Sequence, residues 1–178
     1  MPQAAAHILI PLILMSIVRD YYIQRGKKFP LHYVLIAGIA GAIPDLDVAA
    51  FWILNFFNFT WEEVHRTFAH TIFVPLIFLG LAFITIKANT LKIGKHKLKW
   101  NIIFLMIAIG AFSHLILDAI FGGSIMLFYP LSTFSIGLDL FGYLPEELAV
   151  IAAPSLDGGL IIIWLIYLEM KHKISNFI

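Results

Sequence analysis

The segment Ile43-Pro44-Asp45-Leu46-Asp47 places two carboxylates inside a largely apolar run, residues 31–54. A carboxylate at the centre of a membrane costs roughly 2.5–3.5 kcal/mol on insertion scales. If this run crosses a bilayer, a metal ion, another cation or water in an internal cavity must therefore compensate both charges. Pro44 is also expected to break or kink the helix beside them.

The composition of the chain indicates a membrane protein. It has 178 residues, of which 61% are hydrophobic and 13% are charged, whereas about 25% of a soluble domain is charged. The sequence contains no cysteine, so any metal ion must be bound by imidazole, carboxylate or water. The net charge of +1 does not bear on nucleic acid as a partner, but the lack of a basic patch interleaved with aromatic residues argues against it.

The hydrophobic runs predict an all-α fold, a polytopic transmembrane bundle of about five spans that occupies residues 1–178 as a single domain. The pattern Thr60-Trp61-Glu62-Glu63 is a capping box, which predicts that a helix begins near Trp61. Residues 87–99 are predicted to form a lysine-rich loop. Residues 122–148 are predicted to form a polar connection, with a short amphipathic helix at its end. The predicted spans are residues 4–18, 31–54, 61–86, 100–121 and 149–168.

The basic residues predict the orientation of these spans. If the N-terminus lies outside, the loops at 19–30 and 87–99 and the C-terminal tail lie inside. These segments hold all 12 Lys and Arg residues except Arg66. Because Lys and Arg favour the cytoplasmic side, we expect an integral protein of the cell (inner) membrane with its C-terminus in the cytoplasm. The 122–148 connection is then extracytoplasmic.

Four polar residues from different spans are predicted to lie at one depth. Counting 1.5 Å per residue, His7, Asp47, His70 and His114 all lie roughly 18–26 Å from the cytoplasmic edge of a core about 30 Å thick. The spans alternate in direction, so the order of the residues along the chain does not impose this agreement. The sequence therefore predicts one layer of histidines and aspartates in the outer half of the membrane.

Two motifs in this layer have alternative explanations. His114 and Asp118 share a helix face at i,i+4 spacing, so both could bind one metal, the carboxylate could orient the imidazole, or the two could form a buried hydrogen-bonded pair. Asp45 and Asp47 point about 200° apart on an ideal helix. Both reach one site only if Pro44 distorts the backbone, and one of them could instead cap a half-helix.

The histidines of the third span also have two explanations. His65 and His70 point about 140° apart on an ideal helix, so both bind one metal only if the helix kinks before Phe68; otherwise only His70 binds. His7 is the candidate of the first span, with a structural role as its alternative. The candidate metal ligands are His7, Asp45, Asp47, His65, His70, His114 and Asp118.

Arg66 is the cation on the predicted outer side of the membrane. It could hold a phosphate or a carboxylate substrate, or it could form a salt bridge with Glu62 or Glu63. Imidazole and carboxylate together suit zinc, iron or manganese. Zinc with an open coordination position acidifies its bound water, and two metal ions about 3.5–4 Å apart can clamp a phosphoester.

Four motifs in a fixed order carry a family resemblance: an N-terminal His, Gly-Ala-x-Pro-Asp-x-Asp, His-Arg-x-x-x-His and His-x-x-x-Asp. They stand at His7, 41–47, 65–70 and 114–118. This order resembles the YdjM-like family of inner-membrane proteins, which are described as metal-dependent hydrolases and in some cases as LexA-binding. That family is distantly similar to zinc-dependent phospholipase C and P1 nuclease. The sequence departs from the usual His-Arg-Gly-x-Thr-His-Ser at Thr67, Ala69 and Thr71.

The resemblance implies hydrolysis of a phosphodiester. We therefore expect a membrane-embedded, metal-dependent hydrolase that acts on a phosphoester, with phospholipid as one candidate, through a metal-activated water at the extracytoplasmic side. Arg66 and Asp45 are the expected catalytic residues, Arg66 to neutralise the developing anion and Asp45 as ligand or general base, a role that Asp47 could fill instead. The expected cofactor is a divalent metal, with zinc favoured and roughly one to three ions. The expected partners are the lipid bilayer and the phosphoester substrate.

The alternative function is a non-catalytic metal-binding sensor, or a transporter of metal ions or protons. A transporter requires a polar path from the site towards the cytoplasm. The inner halves of the predicted spans contain almost no ionisable residue, which favours the hydrolase.

Overall fold

The computed structural model describes residues 4–88, 90–93 and 96–177. The fold is mostly helical, with one small hairpin. The helices are α1 (Ala4–Gln24), α2 (Leu31–Ala40), α3 (Leu46–Leu54), α4 (Trp61–Val64), α5 (Phe73–Ile84), α6 (Trp100–Phe121) and α7 (Glu146–His172). Short 3-10 helices lie at Asn55–Phe57, Phe68–His70, Thr85–Lys87 and Ile174–Phe177. Three helices, α1, α6 and α7, are long and apolar enough to cross a membrane.

The second hydrophobic run is broken next to Pro44, as its sequence predicts. α2 ends at Ala40, and α3 begins at Leu46. Proline lacks an N–H group, and its ring clashes with the preceding turn of a helix. Non-helical backbone at membrane depth is tolerated where protein buries it or where it lines a polar cavity. The segment 41–45 therefore marks a place where a polar site can form.

The prediction of one continuous helix over residues 61–86 is wrong. The start at Trp61 is confirmed, since the Glu63 carboxylate accepts the Thr60 N–H at 2.8 Å, as in a capping box. The helix nevertheless ends at Val64. The Thr67 hydroxyl donates to the Val64 carbonyl at 2.8 Å, and such local bonds compete with helical ones.

The break continues through the next residues. Arg66 adopts the left-handed conformation with φ 61°, and the 3-10 helix Phe68–His70 follows before α5 begins. The kink that both histidines of this segment require is therefore present, between His65 and Phe68.

The lysine-rich loop predicted at 87–99 contains a β-hairpin, which corrects the all-α expectation. Strands β1 (Thr90–Ile93) and β2 (His96–Lys99) pair in antiparallel register, with Leu91 opposite Leu98 and Lys92 opposite Lys97. Leu98 is fully buried, whereas both lysines are exposed. Alternation of apolar and charged residues is typical of a half-buried strand. Here the buried Leu98 packs in the apolar core and so attaches the hairpin to the helices.

Two predicted helix ends are also corrected. α1 continues past residues 19–20 to Gln24, because Asp20 is paired within the protein: it accepts a hydrogen bond from the Tyr167 hydroxyl at 2.6 Å and lies 3.4 Å from Arg19. α7 begins at Glu146 and runs to His172 without a separate amphipathic helix. Carboxylates in a first turn favour such a start.

The helices pack around α6, which lies between α2 and α5, while α1 packs on α2 and α7 packs on α1. Two glycines allow close approaches where these helices meet. A Cβ on Gly41 would overlap the His7 carbonyl of α1, and a Cβ on Gly110 of α6 would overlap the Ala37 carbonyl of α2. Small residues at such crossings are typical of membrane helices. The apolar core consists of Met15, Tyr33, Val34, Ala37, Leu98, Ile103 and Met106.

Candidate metal centre

Polar side chains from separate segments meet at one place in the structure. His114 Nε2 of α6 lies 3.2 Å from His70 Nε2 and 3.5 Å from Asp118 Oδ2. Asp45 Oδ1, from the break between α2 and α3, lies 3.5 Å from both imidazole nitrogens. His70, His114 and Asp118 are fully buried, whereas 29% of the Asp45 side chain is exposed. The convergence expected of these residues is therefore present, and Asp45 is its partly exposed member.

The first helix contributes His7 to the same cluster. Its ring stacks on the His114 ring with centroids 3.8 Å apart. Its Nε2 lies 3.4 Å from Asp118 Oδ1, and 2% of its side chain is exposed. The close approach of Gly41 to the His7 carbonyl of α1 holds this histidine beside the cluster.

The Asp47 carboxylate lies between His65 and His70, the two histidines of the predicted third span. Its Oδ1 lies 3.1 Å from His65 Nδ1, and its Oδ2 accepts the Arg66 N–H at 3.1 Å. Oδ2 also lies 3.1 Å from His70 Nδ1, although this nitrogen is not aligned for a hydrogen bond. Asp47 therefore contacts the Nδ1 side of both rings, and His70 Nε2 points at the other residues of the cluster.

A backbone carbonyl sets the tautomer of His114. The Nδ1 atom lies 2.7 Å from the Gly41 carbonyl oxygen. A carbonyl oxygen can only accept a hydrogen bond, so Nδ1 carries the proton, and in a neutral ring Nε2 carries the free lone pair. Metal-binding histidines are typically oriented in this way, by a carbonyl or carboxylate on the other nitrogen.

The cluster contains three overlapping groups of potential metal ligands, and within each group the ligand atoms lie within 4.8 Å of one another. Asp45, His70 and His114 each belong to two of the groups. Asp47 belongs to none of these groups, and Asp45 makes no side-chain cap to α3. The groups are His7–Asp45–His114, Asp45–His65–His70 and His70–His114–Asp118.

The unpaired atoms of the cluster fit a metal ion. Among the described side chains, His65 Nε2 and both carboxylate oxygens of Asp118 are buried without a hydrogen-bond partner. Burying charged oxygens without a partner is costly. The cluster contains three carboxylates but only one arginine, Arg66, among the described residues, so its negative charges outnumber its fixed positive charge. Imidazole nitrogens and carboxylate oxygens together are a suitable donor set for a divalent cation.

Arg66 lies at the edge of the cluster. Its Nη1 donates to the Gly122 carbonyl at 2.7 Å, and its Nη2 lies 3.7 Å from Asp118 Oδ2. A Cβ on Gly122 would come within 2.6 Å of Nη2, so the glycine leaves room for the guanidinium. Arg66 also has a left-handed backbone conformation. In a residue other than glycine this conformation costs about 1–3 kcal/mol, and such residues are concentrated at functional sites.

A salt bridge to Glu62 or Glu63 was the alternative role of Arg66. Glu63 accepts the Thr60 N–H instead, and the side chain of Glu62 lies outside the described residues.

Two backbone carbonyls at the site, from Gly41 and Gly122, were not predicted from the sequence. Every residue has a backbone carbonyl, so sequence pattern does not single these two out.

A mostly helical chain with three helices long and apolar enough to cross a membrane, together with a buried His/Asp cluster, defines a candidate membrane protein with a candidate metal centre. The chain belongs to the YdjM inner membrane protein family, whose model matches residues 1–173. No curated protein and no solved structure matches the chain.

Proposed function

We propose that this protein is a membrane-embedded, metal-dependent hydrolase of a phosphoester, with zinc as its favoured metal. The observation that carries the proposal is the set of three overlapping ligand groups beside a partly exposed arginine. A bound divalent cation supplies an acidified water and an electrophilic contact for a phosphoryl oxygen. The shared residues of the groups would allow more than one ion.

The contacts of each residue in the cluster indicate its role in the proposed site. Asp47 orients His65 and His70 from their Nδ1 sides, as carboxylates behind metal-binding histidines commonly do. Asp45 has the partly exposed carboxylate of the cluster, so it serves as ligand on the substrate side and accepts the proton of the attacking water. The metal ligands in this proposal are His7, Asp45, His65, His70, His114 and Asp118.

The location of the buried polar groups favours a hydrolase over a transporter. Among the described residues, every buried imidazole or carboxylate belongs to the cluster, apart from Asp157 beside it. A transporter would require such groups further along the bundle as well.

Metal analysis and a hydrolysis assay on the purified protein test the function. We expect bound divalent metal in the wild-type protein and cleavage of a phosphodiester, assayed with bis-p-nitrophenyl phosphate and with phospholipid in nanodiscs. Chelation should abolish cleavage, and zinc should restore it. Bound metal without hydrolysis of either substrate would contradict the proposal and favour the sensor or transporter.

Arg66→Gln should reduce kcat/KM by about 100-fold, because it removes the charged donor for the developing anion, and loss of one such donor typically costs 10²–10³. Metal content should be unchanged, since the guanidinium is no ligand. The matched control is Arg25→Gln, which changes an exposed arginine away from the cluster and should keep full activity. Unchanged kcat/KM in Arg66→Gln would contradict this role.

The proposed topology has about five spans, with the N-terminus and the 122–148 connection outside. Its support is the relative direction of the helices. α1 and α7 run parallel, since Ala6 contacts Asp157 near one end and Asp20 contacts Tyr167 near the other. Two helices that cross in the same direction require an odd number of crossings between them, and three such crossings give five spans.

Cysteine labelling tests this topology cleanly, because the chain has no cysteine of its own. Thr133 and Lys97 are both exposed and lie on opposite sides in the proposal. In right-side-out spheroplasts, a membrane-impermeant maleimide should label Thr133→Cys and leave Lys97→Cys unlabelled. Both should react after permeabilisation, and labelling of Lys97→Cys alone would show the inverted orientation.

A further inference from the structure

We propose that Asp157 of α7 is a positioning residue that fixes His7 in the metal centre by capping the first turn of α1. The inference rests on the metal centre proposed above. It assigns a role to α7, a helix that contributes no residue to the three ligand groups.

The contact is direct and buried. Asp157 Oδ1 accepts the Ala6 N–H at 2.9 Å, and 6% of Asp157 is exposed. Ala6 lies in the first turn of α1, which begins at Ala4. The N–H groups of a first turn have no partner within their helix, and a carboxylate there also interacts favourably with the helix dipole. Asp157 thus acts as an N-terminal cap supplied by a different helix.

The capped residue immediately precedes His7. The His7 ring stacks on His114 at 3.8 Å, and its Nε2 lies 3.4 Å from Asp118 Oδ1. A shift of α1 along its axis or a frayed first turn would withdraw the imidazole from both neighbours. The cap therefore controls whether the His7–Asp45–His114 group can form.

A second contact between the same two helices provides a comparison. Tyr167 donates to Asp20 Oδ2 at 2.6 Å, about 21 Å along α1 from Ala6 at 1.5 Å per residue. Loss of this bond loosens the α1–α7 pair far from the cluster. Tyr167→Phe is therefore the control for general weakening of helix packing.

The experiment is a double-mutant cycle on metal affinity, measured by zinc titration of the metal-free protein. Asp157→Ala should weaken zinc binding about tenfold, the lower end of the range for residues that orient ligands. In the His7→Ala background the same change should have no further effect. Asp157→Asn keeps an oxygen acceptor and should retain near-wild-type affinity, and Tyr167→Phe should leave affinity unchanged.

Two further readouts separate positioning from stability. With Co²⁺ as the probe, the visible spectrum of Asp157→Ala should match that of His7→Ala. In metal-free protein, the Ala6 amide should exchange faster in Asp157→Ala than in Asp157→Asn. Additive effects of Asp157→Ala and His7→Ala, or an equal loss of affinity in Tyr167→Phe, would overturn the positioning role. Absence of zinc binding in the wild-type protein would instead overturn the metal centre itself.

Discussion

His114→Ala should lose bound metal and reduce phosphoester hydrolysis at least about 1,000-fold, to the level of chelated protein. The imidazole belongs to two of the three ligand groups, and its Nε2 lies within 3.5 Å of His70, Asp45 and Asp118. Removing it disrupts both groups, and the remaining buried carboxylates lose a neighbour that could share their metal. Elemental analysis of the purified variant, paired with the hydrolysis assay, measures both losses.

The control for this variant is His96→Ala. His96 and His32 form a half-buried pair with ring centroids 5.1 Å apart, where the hairpin meets the start of α2. Neither residue belongs to the candidate ligand groups. His96→Ala should therefore keep full metal content. A His114→Ala protein that is folded by circular dichroism and still holds its full complement of metal would place the metal elsewhere.

Gly41→Ala should be the most damaging substitution outside the cluster. Its added methyl group would overlap the His7 carbonyl and come within 3.0 Å of Pro11 Cγ. Overpacking typically costs about 1–3 kcal/mol, and we expect at least the upper end because the clash is with backbone. The shift would also disturb two groups of the site, His7 and the carbonyl that orients His114. Thermal unfolding in detergent should show a lower Tm together with reduced metal content.

Gly80→Ala is the control for Gly41→Ala. Gly80 lies in α5, and a Cβ there meets no atom within 4 Å. Alanine is favoured over glycine within helices by about 1 kcal/mol, so this variant should be as stable as the wild type or slightly more stable. Equal stability of Gly41→Ala and Gly80→Ala would show that α1 and α2 are packed less closely than the structure has them.

Much of the fold follows from local sequence pattern. α6 has the bounds predicted for the fourth span, because an uninterrupted apolar run of that length has few alternatives to a helix. The break at Pro44 and the start of α4 at Trp61 follow from backbone chemistry that acts within a few residues. The family was also indicated by the order of four short motifs, and its match now covers residues 1–173.

The sequence by itself determined which side chains are candidates for the cluster, since charge inside an apolar span has to be compensated. Their depth in a membrane stays a prediction from helical rise. Only the tertiary structure decided how those side chains face one another. The break between His65 and Phe68, the different positions of Asp45 and Asp47, and the Gly41 carbonyl behind His114 all depend on contacts between segments distant in sequence. Local pattern cannot specify such contacts, because they exist only once α1, α2 and α6 have packed together.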